Sequence, residues 1–174
     1  MQIIPLRVEH ALAYRQLMLY GYEHSPEAFL TTPEECAEVP ASWWEKRIAD
    51  PEGAGLAFGA FVGGQLCGAV TLLFSSRPKT RHKAHVIGVY VQEAWRARGL
   101  GRRLMHAALQ HVEQRSGIKA LLLSVAERNR SAIALYESLG FHSFGIEPMA
   151  FSTGQGYQSM VHMYKSIQDP ELHS

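Results

Sequence analysis

The sequence predicts an α/β protein, a mixed central sheet of about six or seven strands with helices on both faces. Three observations lead there. Two strand-like runs flank Gly63-Gly64, the mark of an antiparallel hairpin. A third apolar run, His85 to Val91, gives way to apolar residues spaced by four at Leu100, Leu104, Ala108 and Val112. The strand-then-helix pattern recurs from Ala120 to Leu139. A hairpin beside strand–helix–strand units implies mixed pairing.

In chain order, Ile3 to Leu6 is short and apolar enough for an opening strand. Leu12, Leu17 and Leu19 mark an imperfect helical stripe between Val8 and Glu23, which Ser25-Pro26 interrupts. Ser42 to Ile48 reads as a helix with a serine cap, its Trp43-Trp44 pair taken as packing. Leu56 to Val62 and Gln65 to Phe74 form the hairpin, and His85 to Val91 is a buried strand. The helix from Leu100 closes at Gly117, and Ala120 to Val125 is a second buried strand. Asn129 caps a helix to Leu139, with Gly140-Phe141 as its stop. One or two strands end the fold, the clear one being Tyr157 to Ile167. No linker divides the chain, so residues 1–168 form one domain and residues 169–174 a flexible tail.

Composition narrows the function. With 17 basic and 16 acidic residues the net charge is +1, which gives no general attraction to nucleic acid or to an anionic membrane. The N-terminus lacks a signal peptide's order, and no stretch approaches the roughly 20 apolar residues of a membrane span. The expectation is a soluble cytoplasmic protein, monomer or homodimer, with Cys36 and Cys67 as reduced buried thiols. The histidines are scattered without ligand spacing, so no metal is expected.

The informative segment is Arg96-Ala97-Arg98-Gly99-Leu100-Gly101-Arg102-Arg103 between a strand and an amphipathic helix. A helix N-terminus offers unpaired N–H groups and about half a positive charge. Glycines there let a phosphate approach the backbone. A P-loop is excluded because Arg102-Arg103 follows Gly101, and a dinucleotide fingerprint because Leu104 stands where a small residue is needed.

The remaining pattern, Arg-x-x-Gly-x-Gly, resembles the GNAT superfamily of acyl-CoA-dependent N-acetyltransferases. The strand Gly88-Val89-Tyr90-Val91, the helix from Leu100, and Asn129 to Phe141 about thirty residues later match its two main motifs in order. Gly156-Tyr157 and Met160 echo a common ending of the family. The resemblance covers roughly residues 2 to 167.

It implies acetyl-CoA as co-substrate and an amine as acceptor. Val89 and Val91, on either side of Tyr90, would pair with the pantetheine arm where two parallel strands splay. Arg96 opens the segment whose amides, from Ala97 through Arg98, Gly99, Leu100 and Gly101 to Arg102, would hold the pyrophosphate. Asn129 and Ser131 would contact pantetheine or phosphate, though Asn129 also suits a bare helix cap. Arg102 and Arg103 are either phosphate ligands or solvated charges. Tyr136 would protonate the leaving sulfur, or else is a core tyrosine in register with Ala132 and Leu139.

A base is needed because a lysine-like amine lies about 3.4 pKa units above pH 7, roughly 4.6 kcal/mol. His85 falls where the family's histone-modifying branch has a glutamate, and Glu23, His24 and Glu27 are further candidates. A Gln158-Ser159 pair stands where relatives often carry acidic residues. The expected reaction is direct attack in a ternary complex, with a backbone N–H such as that of Val89 holding the oxyanion. The acceptor is a small amine, or alternatively a protein N-terminus or lysine. A non-catalytic acyl-CoA sensor is the reading from another class.

Overall fold

A computed structural model describes residues 1–168; the tail expected at residues 169–174 lies outside the described residues. The elements are β1 (Gln2–Pro5), α1 (Ala11–His24), α2 (Pro33–Cys36), α3 (Ala41–Ala49), β2 (Gly55–Val62), β3 (Gln65–Phe74), β4 (Lys83–Val91), α4 (Leu100–Gln114), β5 (Ala120–Ala126), α5 (Arg130–Ser138), β6 (His142–Ser152) and β7 (Tyr157–Ser166). Among the described residues, seven strands form one sheet in the order β1-β2-β3-β4-β5-β7-β6. Only the β4–β5 pair is parallel, so the sheet is mixed as expected.

Both faces are covered. Leu100, Leu104, Met105, Ala108 and Val112 of α4 pack with Tyr136 and Leu139 against Val70, Val86, Leu121 and Val161. On the other face Tyr14, Leu17, Met18 and Tyr22 of α1 pack with Trp44 and Ile48 of α3 against Ala57, Ala69 and Tyr90. Each fully buried large apolar side chain contributes about 1.5–3 kcal/mol. Thr71 and Tyr14 satisfy one another inside this layer through a 2.9 Å hydroxyl–hydroxyl hydrogen bond. Trp44 is buried, and Trp43 lies at the surface beneath Arg47.

Two sequence expectations need correction. Leu12 is exposed, and the buried stripe of α1 runs through positions 14, 17, 18, 21 and 22, a cleaner helical spacing. Pro40, not Ser42, occupies the cap of α3, where its fixed φ suits the helix entry. At the other end of the chain β6 pairs with β7, so two strands close the fold.

Two features of β4 open the sheet on one side. Thr71 faces Ile87 but Ala69 faces Tyr90, so β4 carries one extra residue, with Gly88 at φ +56°. Such a bulge bends its strand. Pairing with β5 is confined to Lys83↔Ala120, Ala84↔Leu121 and His85↔Leu122. Beyond His85 the two strands part, and a gap lies between them. Among the described residues no helix is long and apolar enough to cross a membrane.

Candidate active site

The site is built where β4 ends and α4 begins. Gly99 caps α4 at φ +75° and has no side chain to satisfy the first turn. By contrast Asn129 caps α5 by accepting from the Ala132 N–H at 3.3 Å. The first turn of α4 holds no acidic residue, so no carboxylate of that turn offsets the helix dipole. Arg96 N–H donates to Glu93 O and Arg103 N–H to Gly99 O. The amides between them, 97 to 102, have no acceptor among the described residues. Ala97 at φ +60° and Gly99 at φ +75° are both left-handed, an alternation that turns successive N–H groups into an anion-binding concavity. A left-handed alanine costs about 1–2 kcal/mol, which marks this backbone shape as specified.

These amides border a cleft of about 750 Å³ lined by Val89, Tyr90, Val91, Arg96, Ala97, Gly99, Leu100, Gly101, Arg102, Asn129 and Ser131. A Cβ on Gly101 would meet only Leu135 Cδ2 at 3.6 Å within the protein, so the open space before Gly101 belongs to the cleft. Gln92 N–H donates to Cys67 O on β3 at 2.9 Å. Strand alternation therefore turns the Val91 backbone the other way, toward the gap.

A smaller pocket of about 180 Å³ continues from the cleft through the β4–β5 gap. Glu27, Val89, Ala126, Asn129 and Leu135 border both spaces, and Tyr136 and Ser124 line the smaller one. Tyr136 is 7% exposed, and its ring meets Phe141 edge-on at 6.0 Å. Its hydroxyl has no hydrogen-bond partner among the described residues. Burial pushes its pKa up to about 12, so the phenol holds its proton at neutral pH.

Not every expected residue faces the cleft. The Arg96 side chain donates to Val91 O at 3.0 Å and to Ser25 Oγ at 3.1 Å, and lies over the Tyr90 ring. It braces the site rather than offering a free charge. Arg98 does not line the cleft; its guanidinium sits 5.0 Å from the Trp95 ring centre. Arg102 lines the cleft while donating to Ser138 Oγ at 2.9 Å. Asn129 Oδ1 also accepts from Ser131 Oγ at 3.3 Å.

Among the expected bases, Glu23 is exposed beside His24 at 3.9 Å and lines neither pocket. His85 also lines neither. Loss of water and the nearby Lys83 hold the His85 imidazole below its usual pKa. Glu27 alone of the carboxylates considered reaches both spaces. Ser124, Leu135, Phe151 and Met160, none of them expected as site residues, also line the smaller pocket. The alternation of Leu121, Leu123 and Val125 as buried residues, with Ser124 between, was the available signal for Ser124.

Comparisons with known proteins agree with this architecture. The sequence model of the Acetyltransferase (GNAT) family matches residues 19–141. The [ribosomal protein bS18]-alanine N-acetyltransferase of Salmonella typhimurium is 37% identical over 81 residues, covering 47% of this chain and 54% of that protein. The match thus spans about half the length of that relative. Mycothiol acetyltransferase of Nocardiopsis dassonvillei is 32% identical over 124 residues, 71% of this chain and 30% of that protein. The yncA protein of Salmonella typhimurium, solved with its cofactor acetyl-CoA, superposes with a TM-score of 0.81 at 19% identity, covering 97% of this chain and 95% of that one. At that identity the likeness speaks for the fold.

Proposed function

The chain belongs to the GNAT acetyltransferase family, and from that premise we propose that it transfers the acetyl group of acetyl-CoA to a primary amine by direct attack in a ternary complex. One observation carries the proposal. The uncapped end of α4 opens with free amides onto the same cleft as the gap between β4 and β5. A diphosphate satisfies such a helix end through main-chain donors and the dipole. Val91 turns its N–H toward the gap while Arg96 holds its carbonyl, and that amide suits an extended amide-bearing arm, which adds to β4 as a strand would.

The arm leads into the smaller pocket, where the thioester meets Tyr136. A protonated phenol there supplies a proton to the departing sulfur. The thiol it forms has an ordinary pKa near ~8.5, so this assistance is modest. Val89 borders both spaces, and its amide is the main-chain donor on β4 for the oxyanion. Asn129 and Ser131 fix the arm from the α5 side, and Arg96 holds the rim by tying Val91 to Ser25.

The acceptor is a primary amine on a slender end, because the pocket beyond the gap holds only about 180 Å³. A small molecule fits that description. A peptide α-amine is the second reading, favoured by the 37% identical relative that acts on a ribosomal protein's alanine. A thiol-release assay tests both, using acetyl-CoA with spermidine, free amino acids and an alanine-initiated tripeptide. Turnover with any of these supports an enzyme; CoA binding without release of thiol across the panel supports the acyl-CoA sensor instead.

A further inference from the structure

Three side chains from three adjacent strands form a hydrogen-bonded chain that starts in the small pocket. Ser124 Oγ on β5 lies 2.6 Å from His162 Nδ1 on β7. His162 Nε2 lies 3.0 Å from Glu147 Oε2 on β6. Ser124 shares the pocket with Tyr136, whereas His162 and Glu147 lead outward, their side chains 31% and 53% exposed. The register makes the arrangement possible, since Ser124 stands opposite His162 and Glu147 stands opposite Met160, one diagonal step away. Irregularities in β6 between Ser143 and Gly145 and between Glu147 and Phe151 bracket the segment bearing Glu147. Bulges of this kind re-aim side chains.

We propose that Ser124, His162 and Glu147 are the proton relay that deprotonates the acceptor amine, with Ser124 Oγ as the atom that receives its proton. The inference rests on the acetyl-transfer reading. Glu147 accepts from Nε2–H and so fixes the tautomer in which Nδ1 is free to accept from the serine hydroxyl. The Ser124 hydroxyl proton passes to His162 Nδ1 while the substrate ammonium gives its proton to Ser124 Oγ. The nitrogen lone pair then forms the C–N bond, and the C–S bond breaks with its electron pair going to sulfur. Sulfur takes the Tyr136 proton, and the second proton lost by nitrogen replaces it. The imidazolium, paired with Glu147, returns its proton to solvent, so one proton leaves per turnover.

Among the described residues, Glu147 is the charged group in contact with His162. By register the same face carries Lys83 and His85 on β4, opposite Ala120 and Leu122, and Tyr164 on β7, which His142 of β6 meets at 6.1 Å. Phe144 covers the imidazole from β6 with ring centres 6.1 Å apart. Ser124 is a catalytic residue on this account, and His162 and Glu147 act through it.

The test is the pH dependence of kcat/KM for wild type, S124A, S124T, H162Q and E147Q, with acetyl-CoA and the best acceptor of the thiol-release panel. General-base removal is worth about 10²–10⁴ in rate. S124A and H162Q are expected to lose about 100-fold at pH 7, with a deficit that shrinks as pH approaches the amine's own pKa. S124T keeps the hydroxyl and most of the rate. E147Q removes the charge opposite the imidazolium, so its rate at pH 7 falls below that of wild type. Equal CoA affinity in all five proteins is expected, because none of these groups borders the larger cleft. An active wild type whose S124A variant keeps a parallel profile within threefold overturns the relay alone. So does an acetyl group found on Ser124 by intact mass after incubation with acetyl-CoA. A wild type inactive across the panel overturns the transfer reading and the relay together.

Discussion

The guanidinium of Arg96 donates to the hydroxyl of Ser25 at 3.1 Å, joining two residues 71 positions apart. This contact closes one side of the cleft, because Ser25 ends α1 while Arg96 holds the last carbonyl of β4. Ser25 is buried, so its hydroxyl has little access to water as a replacement partner.

Arg96→Ala therefore costs about 1–3 kcal/mol of stability, measured by urea unfolding, through the two lost hydrogen bonds. The same variant raises KM for acetyl-CoA, since the Val91 edge loses its brace. Arg96→Lys does not restore it, as an ammonium cannot bridge Val91 O and Ser25 Oγ with a guanidinium's fork.

Tyr136→Phe lowers kcat about 10- to 100-fold and leaves CoA affinity and melting temperature nearly unchanged. The ring contact with Phe141 survives the substitution. Because burial raises the phenol to about 12, its contribution to stability is full below its ordinary pKa of about 10 and is lost as pH rises through 12. Unfolding titrations between pH 10 and 12 show a shallower decline in Tyr136→Phe.

His85→Ala changes kcat less than twofold, since His85 lines neither pocket. Its lowered pKa has the opposite sign of linkage. The folded state binds fewer protons than the unfolded one, so stability is lost as pH falls below the imidazole's ordinary value. Denaturation at pH 7 and pH 5 shows a smaller acid loss in His85→Ala than in wild type.

The strands and helices that bury one face were legible from periodicity. Gly63 and Gly64 proved to be a turn with φ of +56° and +81°, and Asn129 a true cap. The open start of α4 was legible because its signal is local, two glycines among a few consecutive residues around Leu100. β6 was not, since most of its positions are exposed and give no apolar alternation. Ser124, His162 and Glu147 were illegible for a different reason. The sheet order β5-β7-β6 brings them together, and no spacing within the chain records that order. His85 looked suitable by position along β4, but a count along one strand does not say where the bulge at Gly88 opens the pocket.

Gly99 and Gly101 separate folding from binding. Gly99 has φ +75°, so Gly99→Ala is destabilised by about 1 kcal/mol although nothing crowds a Cβ there. Gly101 lies in the first turn of α4, where alanine is the better helix former by about 0.8–1 kcal/mol. Thermal melts should show Gly101→Ala at or above wild type and Gly99→Ala below it, while both bind CoA more weakly.

Calorimetric titration of CoA into wild type and Gly101→Val, each shown folded by circular dichroism, tests most directly whether the open end of α4 holds the diphosphate. The account expects binding to wild type and at least a 30-fold weaker affinity in the variant, about 2 kcal/mol, because the new side chain fills the space before the amides. Equal affinity in the two folded proteins would contradict it.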